Sequence, residues 1–305
     1  MSQSPPPDRP GGVHDEDDAV AAFQAARPRL VNIAYGLLGS FDEAEDVVQD
    51  SWLRLRGADP STISDVTGWL VVAVSRLACD VLRSARRRRE SYVGPWLPEP
   101  LVGDDPADRV ELDESLSVAL LVVLEALSPA ERTAFVLHDV FGMPFGEVSR
   151  AVRRSPAACR QLASRARRRV AVRSPRFRVS ADEQRRVVSA FADACRGGEV
   201  AALLPLLDPD VEVRADGGGV VPAARHPIRG ADRVARYLAG VVRRPGRSVV
   251  RAAVNGSPGV VWLRGDAVDA VLALAVADGR ITAIAIVRNP LKLAHARVGR
   301  RKADV

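Results

Sequence analysis

Arginine is the residue type through which this chain can do most of its chemistry. Of its 44 basic residues only Lys292 and Lys302 are lysine, and the arginines are bunched. Arg83, Arg86, Arg87, Arg88 and Arg89 close one helical segment, and eleven arginines with no acidic residue lie between Arg150 and Arg178. A guanidinium presents a planar fork that fits phosphate oxygens and base edges, so such runs suit a polyanion. High-GC codon usage, visible in the abundance of Ala and Val, inflates arginine, so placement counts for more than number. On a helical wheel the segment opened by Ser155 and Pro156 sets Cys159, Leu162, Ala163, Ala166 and Val170 on one side. Ala157, Arg160, Gln161, Ser164, Arg165 and Arg168 fall on the other, pairing small residues that admit a groove floor with side chains that read bases. Cations in a last helical turn also favour the helix dipole, which is the plainer account of Arg83 to Arg89.

A second constellation is acidic. In DEAEDVVQDSWLRL (42–55), Ala44, Val47, Val48, Ser51 and Leu55 share one side of the wheel; Asp42, Asp46, Gln49 and Asp50 surround Leu53 on the other. That face reads either as a solvated surface with a stray leucine or as a docking surface for a basic partner. Catalytic pairings are not visible. Asp216, His226, Trp262 and Asp269 are not spaced for acid–base work, and Asp269, between apolar neighbours, reads as solvent-facing. Gly217, Gly218 and Gly219 lack the Lys and Ser or Thr of a phosphate loop and read as a turn or bulge. Three cysteines and four histidines are scattered, so neither a disulfide framework nor a metal site is readable. No catalytic residue, metal or cofactor is expected.

The elements that would position these groups fall into three blocks. With 305 residues, a net charge of +6 and 47% hydrophobic residues, the chain suits two or three modest domains; neither a membrane span nor a secretory leader is legible. Residues 1–18 read as a disordered tail. Residues 19–90 are helical, with breaks at Gly39–Ser40 and Gly57–Pro60. Residues 91–116, with several prolines and seven acids against one arginine, read as a linker. Residues 117–172 form a second helical block. There Ser128, Pro129 and Glu131 make a capping box, and a short helix, a turn at RRS and the 155–170 segment make a helix-turn-helix. Arg153 stands in that turn where glycine is common; a positive φ there costs about 1 kcal/mol. After a linker (173–181), residues 182–293 read as an α+β domain. One amphipathic helix (182–196) precedes strands at 211–216, 248–256, 259–265, 267–279 and 280–290, with a hairpin turn at ADGR and a curved antiparallel sheet. A basic tail (294–305) ends the chain.

An acidic docking helix, an arginine-tipped helix, an acidic linker and a helix-turn-helix, in that order, resemble a bacterial sigma factor of the extracytoplasmic-function class. The resemblance covers about residues 19–172 and rests on DEAEDVVQDSWLRL, WLVVAVSRLACDVLRSARRRRE and SPAERTAFVLHDVFGMPFGEVSRAVRRSPAACRQLASRARRRV. It implies that Asp46, Gln49, Asp50 and Leu53 face the β′ clamp helices of core RNA polymerase, with the β flap as a further partner. It also places Arg83 and Arg86 to Arg89 near the minus 10 element, and Arg160, Gln161, Ser164, Arg165 and Arg168 in the minus 35 major groove.

WLPEP (Trp96, Leu97, Pro98, Glu99, Pro100), DGGG (Asp216 to Gly219) and NPLKL (Asn289, Pro290, Leu291, Lys292, Leu293) resemble signatures of members fused to a SnoaL-like domain. Val220 departs from the family's usual basic residue and Leu291 from its usual Asp. This subgroup implies two all-α sigma domains and a C-terminal α+β SnoaL-like cone. It further implies a cytoplasmic protein whose extension modulates polymerase and promoter binding in cis, without a separate anti-sigma factor. Trp96 and Leu97 are then expected to seat against Asp216–Gly219 and Asn289–Lys292, as against the alternative of a stiff spacer. The competing reading of the whole chain is a helix-turn-helix regulator with a ligand-sensing or enzymatic SnoaL-like domain, and a small-molecule ligand stays open.

Overall fold

The structure, a computed structural model, describes residues 16–59, 62–103, 116–173, 179–242 and 245–298. Of the tails expected at 1–18 and 294–305, residues 1–15 and 299–305 lie outside these, as do the acidic stretch 104–115, residues 174–178 and the side chains of Arg86 to Arg89; residues 16–18 already belong to the first helix.

Three helices open the chain: α1 (Glu16–Leu38), α2 (Phe41–Arg56) and α3 (Val66–Glu90). Gly39 at φ +71° ends the first, and Ser40 caps the second by accepting from the Glu43 N–H. The second block holds α4 (Val118–Leu124), α5 (Pro129–Phe135) continued by a π turn (Val136–Val140), α6 (Phe145–Val152) and α7 (Pro156–Arg173). Ser128 and Glu131 close the capping box on α5 reciprocally. Burial of Glu131 opposes its ionised form, but the Ser128 hydroxyl and N–H, with Arg169 at 2.7 Å, outweigh this and hold its carboxyl below the usual value. Arg153 ends α6 in the left-handed region at φ 57°, the conformation its turn demands.

The two helical blocks share one apolar core, in which Leu30, Leu37 and Leu38 of α1 meet Leu116, Val136 and Leu137. Gly36 makes that approach possible, since a Cβ there would lie 3.0 Å from Leu116 and 3.3 Å from Val136. Arg132 is buried at the same seam, paired with Glu125. On the other flank the Arg76 guanidinium donates to the Arg150 carbonyl, 2.9 Å away, tying α3 to α6.

The C-terminal block contains α8 (Ala181–Gly197), α9 (Val200–Leu203), α10 (Ala231–Val242) and a six-stranded sheet. The strands are β1 (Leu207–Asp216), β2 (Ile228–Arg229), β3 (Arg247–Val254), β4 (Ser257–Arg264), β5 (Ala267–Ala277) and β6 (Arg280–Val287), in the order β2-β1-β6-β5-β4-β3. The expectation of an antiparallel sheet is corrected at one seam, because β1 and β6 run parallel. Alternation of apolar residues fixes which face a side chain takes, not which way its strand runs, and the connection through α10 decides direction here. That helix is also an addition to the single helix read in this block. The ADGR hairpin is present, with Asp278 and Gly279 at φ 50° and 72°.

The sheet curls around α8 and α10 as a cone and buries both faces. Val260, Trp262, Leu272, Ile284 and Ile286 fill the cone. Val261, Val271 and Val287 point outward against Leu97 of the linker, Val118 of α4 and the later Leu293 and Ala296. Burial on both sides is why β5 reads as a nearly unbroken apolar run.

Candidate functional site

Three surfaces gather the residues singled out above. On α2, Ala44, Val47, Val48, Ser51 and Leu55 are buried against the bundle. Asp46, Gln49 and Asp50 are exposed on the opposite side, and Leu53 among them is 56% exposed, one of few large apolar side chains left in solvent among the described residues.

On α7, Cys159, Ala163 and Ala166 are buried in the shared core while Ala157, Arg160, Gln161, Ser164, Arg165 and Arg168 are exposed. The Ser155 hydroxyl accepts from the Ala158 N–H at 3.2 Å and starts the helix at the turn. The Arg160 guanidinium lies 5.9 Å from the centre of the Phe145 ring, so α6 and α7 are braced at the exposed face. Arg83, exposed on α3, pairs with Asp80 at 2.8 Å.

The third surface lies between the linker and the cone. Asp216, fully buried at the end of β1, accepts from the Tyr92 hydroxyl at 2.6 Å, the Leu97 N–H at 2.9 Å and the Gly218 N–H at 2.9 Å. The Lys292 ammonium stands 2.7 Å from the same carboxylate, donates to the Leu97 carbonyl and lies 4.0 Å from the centre of the Trp96 ring. Asn289 donates to Tyr92 at 3.0 Å and accepts from Leu291 N–H, which starts the short turn Pro290–Leu293. The glycines after Asp216 make a tight turn with reasons for their identity. A Cβ on Gly217 would strike the Val221 carbonyl at 2.2 Å, and Gly218, at φ 65°, would place one 2.5 Å from Asn289. Gly219, at φ 74°, packs under Val93. Leu97, Pro98, Glu99 and Pro100 are all buried, and Trp96 is half-buried. Val220 and Leu291, the two departures from the family pattern, are exposed.

Beyond Asp216 the linker is gripped by Gly39, Ser40, Phe41 and Asn255, none of which the sequence singled out as site residues. Glu99 N–H donates to the Gly39 carbonyl at 2.8 Å, and its carboxylate caps α2 through the Phe41 N–H at 2.8 Å and the Ser40 hydroxyl at 3.3 Å. Burial raises the Glu99 carboxyl above the usual range against the pull of that N–H, and the Asp42 charge raises it further. Asn255, in the β3–β4 turn, accepts from Leu101 N–H at 2.9 Å and donates to the Tyr35 hydroxyl at 2.6 Å and the Leu116 carbonyl at 3.1 Å. One side chain thereby joins α1, the linker, the start of the second block and the cone. An Asn-Gly turn advertises only a hairpin, so its second task has no sequence signal.

Inside the cone, Trp262 is buried under the Arg247 guanidinium, 4.9 Å away. Asp269 is not solvent-facing as its alternation implied: it is 14% exposed and pairs with Arg247, Arg288 and Arg264. Burial would raise its carboxyl, but Arg247 and Arg288 outweigh that and hold it below the usual value. His226 is exposed on a loop. Cys79, Cys159 and Cys195 are free and buried. Among the described residues, no helix is long and apolar enough to cross a membrane.

Comparison with known proteins gives the family of the chain. The family models "Sigma-70 region 2" and "Sigma-70, region 4" match residues 22–88 and 117–170. The chain is 39% identical over 302 residues to the ECF RNA polymerase sigma factor SigJ of Mycobacterium tuberculosis, covering 93% of this chain and 96% of that one. It is 38% identical over 286 residues to the probable ECF RNA polymerase sigma factor SigI of the same species, covering 92% and 97%. The crystal structure of M. tuberculosis SigJ superposes with a TM-score of 0.73 at 36% identity, over 91% of this chain and 99% of that one. With both sigma regions in place and relatives matched over nearly their full length, the chain belongs to the extracytoplasmic-function RNA polymerase sigma factors.

Proposed function

We propose that this sigma factor binds the polymerase β′ clamp helices through the Asp46, Gln49, Asp50 and Leu53 face of α2, and the β flap through its second helical block. The exposed Leu53 inside a ring of acidic and amide side chains carries this reading. An apolar anchor surrounded by charges that steer a basic partner is the pattern of a docking patch. The exposed face of α7 (Arg160, Gln161, Ser164, Arg165 and Arg168) takes the minus 35 major groove, and the arginine end of α3, Arg83 with Arg86 to Arg89, serves the minus 10 element. The protein acts in the cytoplasm, where core polymerase is. No catalytic step, metal-dependent or otherwise, is assigned to the cone, whose Asp216 is spent on the linker and whose Asp269 is spent on guanidinium groups.

The cone modulates this activity in cis through Trp96 to Pro100, Asp216 to Gly219 and Asn289, Pro290 and Lys292, so that a separate anti-sigma factor is not required. Minus 35 and minus 10 stand about 85 Å apart along a duplex rising about 3.4 Å per base pair. Here α3 and α7, about 37 and 27 Å long at about 1.5 Å per residue, both pack on α6. The two DNA-facing surfaces are thus held closer than a promoter requires, and the described arrangement is a closed form that must open.

Capture of core polymerase by the full chain tests the docking face. Asp46→Arg combined with Leu53→Ala is expected to weaken capture at least tenfold without disturbing helicity, since both side chains point to solvent. Equal capture by the double variant would refute the assignment.

A further inference from the structure

Where the α2 face and the linker meet, three side chains from distant parts of the chain converge: Asp42 in the first turn of α2, Glu99 of the linker and His295 beyond the Pro290–Leu293 turn. One ligand-type atom from each lies within 4.8 Å of the others. His295 Nε2 is 2.8 Å from Asp42 Oδ1. Glu99 is 3% exposed, and its two oxygens are in different situations. Oε2 is held by the Phe41 N–H and the Ser40 hydroxyl, whereas Oε1 is buried with no hydrogen-bond partner. A buried carboxylate oxygen without a donor is costly, and two carboxylates beside one imidazole compound the cost unless a cation joins them.

We propose that Asp42, Glu99 and His295 form a binding site for a first-row divalent cation of the zinc or cobalt class. One imidazole nitrogen and two carboxylate oxygens are donor types that zinc accepts, and three of them leave a fourth tetrahedral position for water, while calcium and magnesium favour more numerous, all-oxygen ligands. The Phe41 N–H and the Ser40 hydroxyl do for Glu99 what outer partners do for metal ligands, fixing its orientation. His295 and Asp42 are more than half exposed, so an ion can enter and both side chains can close on it. The bound ion ties α2, the linker and the C-terminal segment at one point. Asp42 lies one helical turn before Asp46, so, resting on the polymerase-docking role given to α2 above, the ion holds the C-terminal segment beside the docking face and lowers polymerase capture.

The experiment uses the untagged full chain, stripped of metal, titrated with cobalt(II) by visible absorption and with zinc(II) in competition. One equivalent is expected to bind, and His295→Ala and Asp42→Asn should each weaken binding at least tenfold. Both side chains are exposed, so the fold is not at stake. Failure of the wild type to bind one equivalent, or equal binding by His295→Ala, would overturn the site. Polymerase capture with and without zinc then tests the coupling. Zinc should reduce capture by the wild type and not by His295→Ala. Stoichiometric binding with capture unchanged by zinc leaves the metal site standing and removes its link to α2.

Discussion

Asn255 shows how much one side chain can hold. Its backbone sits at φ 50° in the two-residue turn between β3 and β4, and its amide reaches Leu101, Leu116 and Tyr35 at once. Asn255→Gly separates the two tasks, because glycine keeps the turn geometry and deletes the amide. The Leu101 N–H and the Leu116 carbonyl then lose partners in a buried place, at about 1–3 kcal/mol for the set. The expected result is a lower thermal midpoint with faster hydrogen exchange of the Leu101 amide; an unchanged Leu101 exchange rate would show that the amide is idle. Residues of this kind were the least legible in the sequence. A helical wheel could sort Leu53 from Leu55, since a helix has one inward side. No spacing rule links Asn255 to Tyr35, or Glu99 to His295, because such pairs are made by the packing of whole blocks. Asp269 misled for a related reason: strict alternation puts a carboxylate outward only when no guanidinium waits for it, and here Arg247 and Arg288 do.

At the scale of elements, the seam between α1 and the second helical block is made by Gly36 and closed by Leu116 and Val136. A larger residue improves the helix itself, by about 1 kcal/mol relative to glycine, while wedging the seam. Gly36→Leu is therefore expected to leave helicity intact, raise the radius of gyration in small-angle scattering, and accelerate exchange in α4 and α5. No change in either observable would mean that the seam yields without opening. The same scale explains what could be read of the C-terminal block. Strand positions and the ADGR hairpin followed from β-branched runs and turn chemistry, whereas the parallel pairing of β1 with β6 did not, because face alternation carries no direction. The unbroken apolar run of β5 did carry a signal. A strand buried on both faces needs a second cover, and here Leu97 and Val118 supply it from outside the cone.

For the whole molecule, the outer sheet face joins the linker to the second helical block, and through it bears on the spacing of the surfaces proposed to meet DNA. Leu97 and Val118 cover that face while the two sigma regions share the helical core, and pulling the regions and the cone apart exposes apolar surface that must be re-covered or solvated. Trp96 is the accessible point of attack, being half-buried between the Lys292 ammonium and the Gly39 turn. Trp96→Ala removes a cation–π contact and part of a packed ring, about 2 kcal/mol together, while the Asp216–Lys292 pair keeps the cone intact. A loss of that size shifts the closed-to-open ratio about thirtyfold, since each 1.4 kcal/mol is about tenfold. Exchange should quicken across residues 92–101, and run-off transcription at limiting sigma factor should rise, because more chains can span minus 35 and minus 10 together. Faster exchange with reduced transcription would mean that the cone assists the polymerase complex instead of restraining the free chain, and unchanged exchange would mean that Trp96 does not hold the closed form.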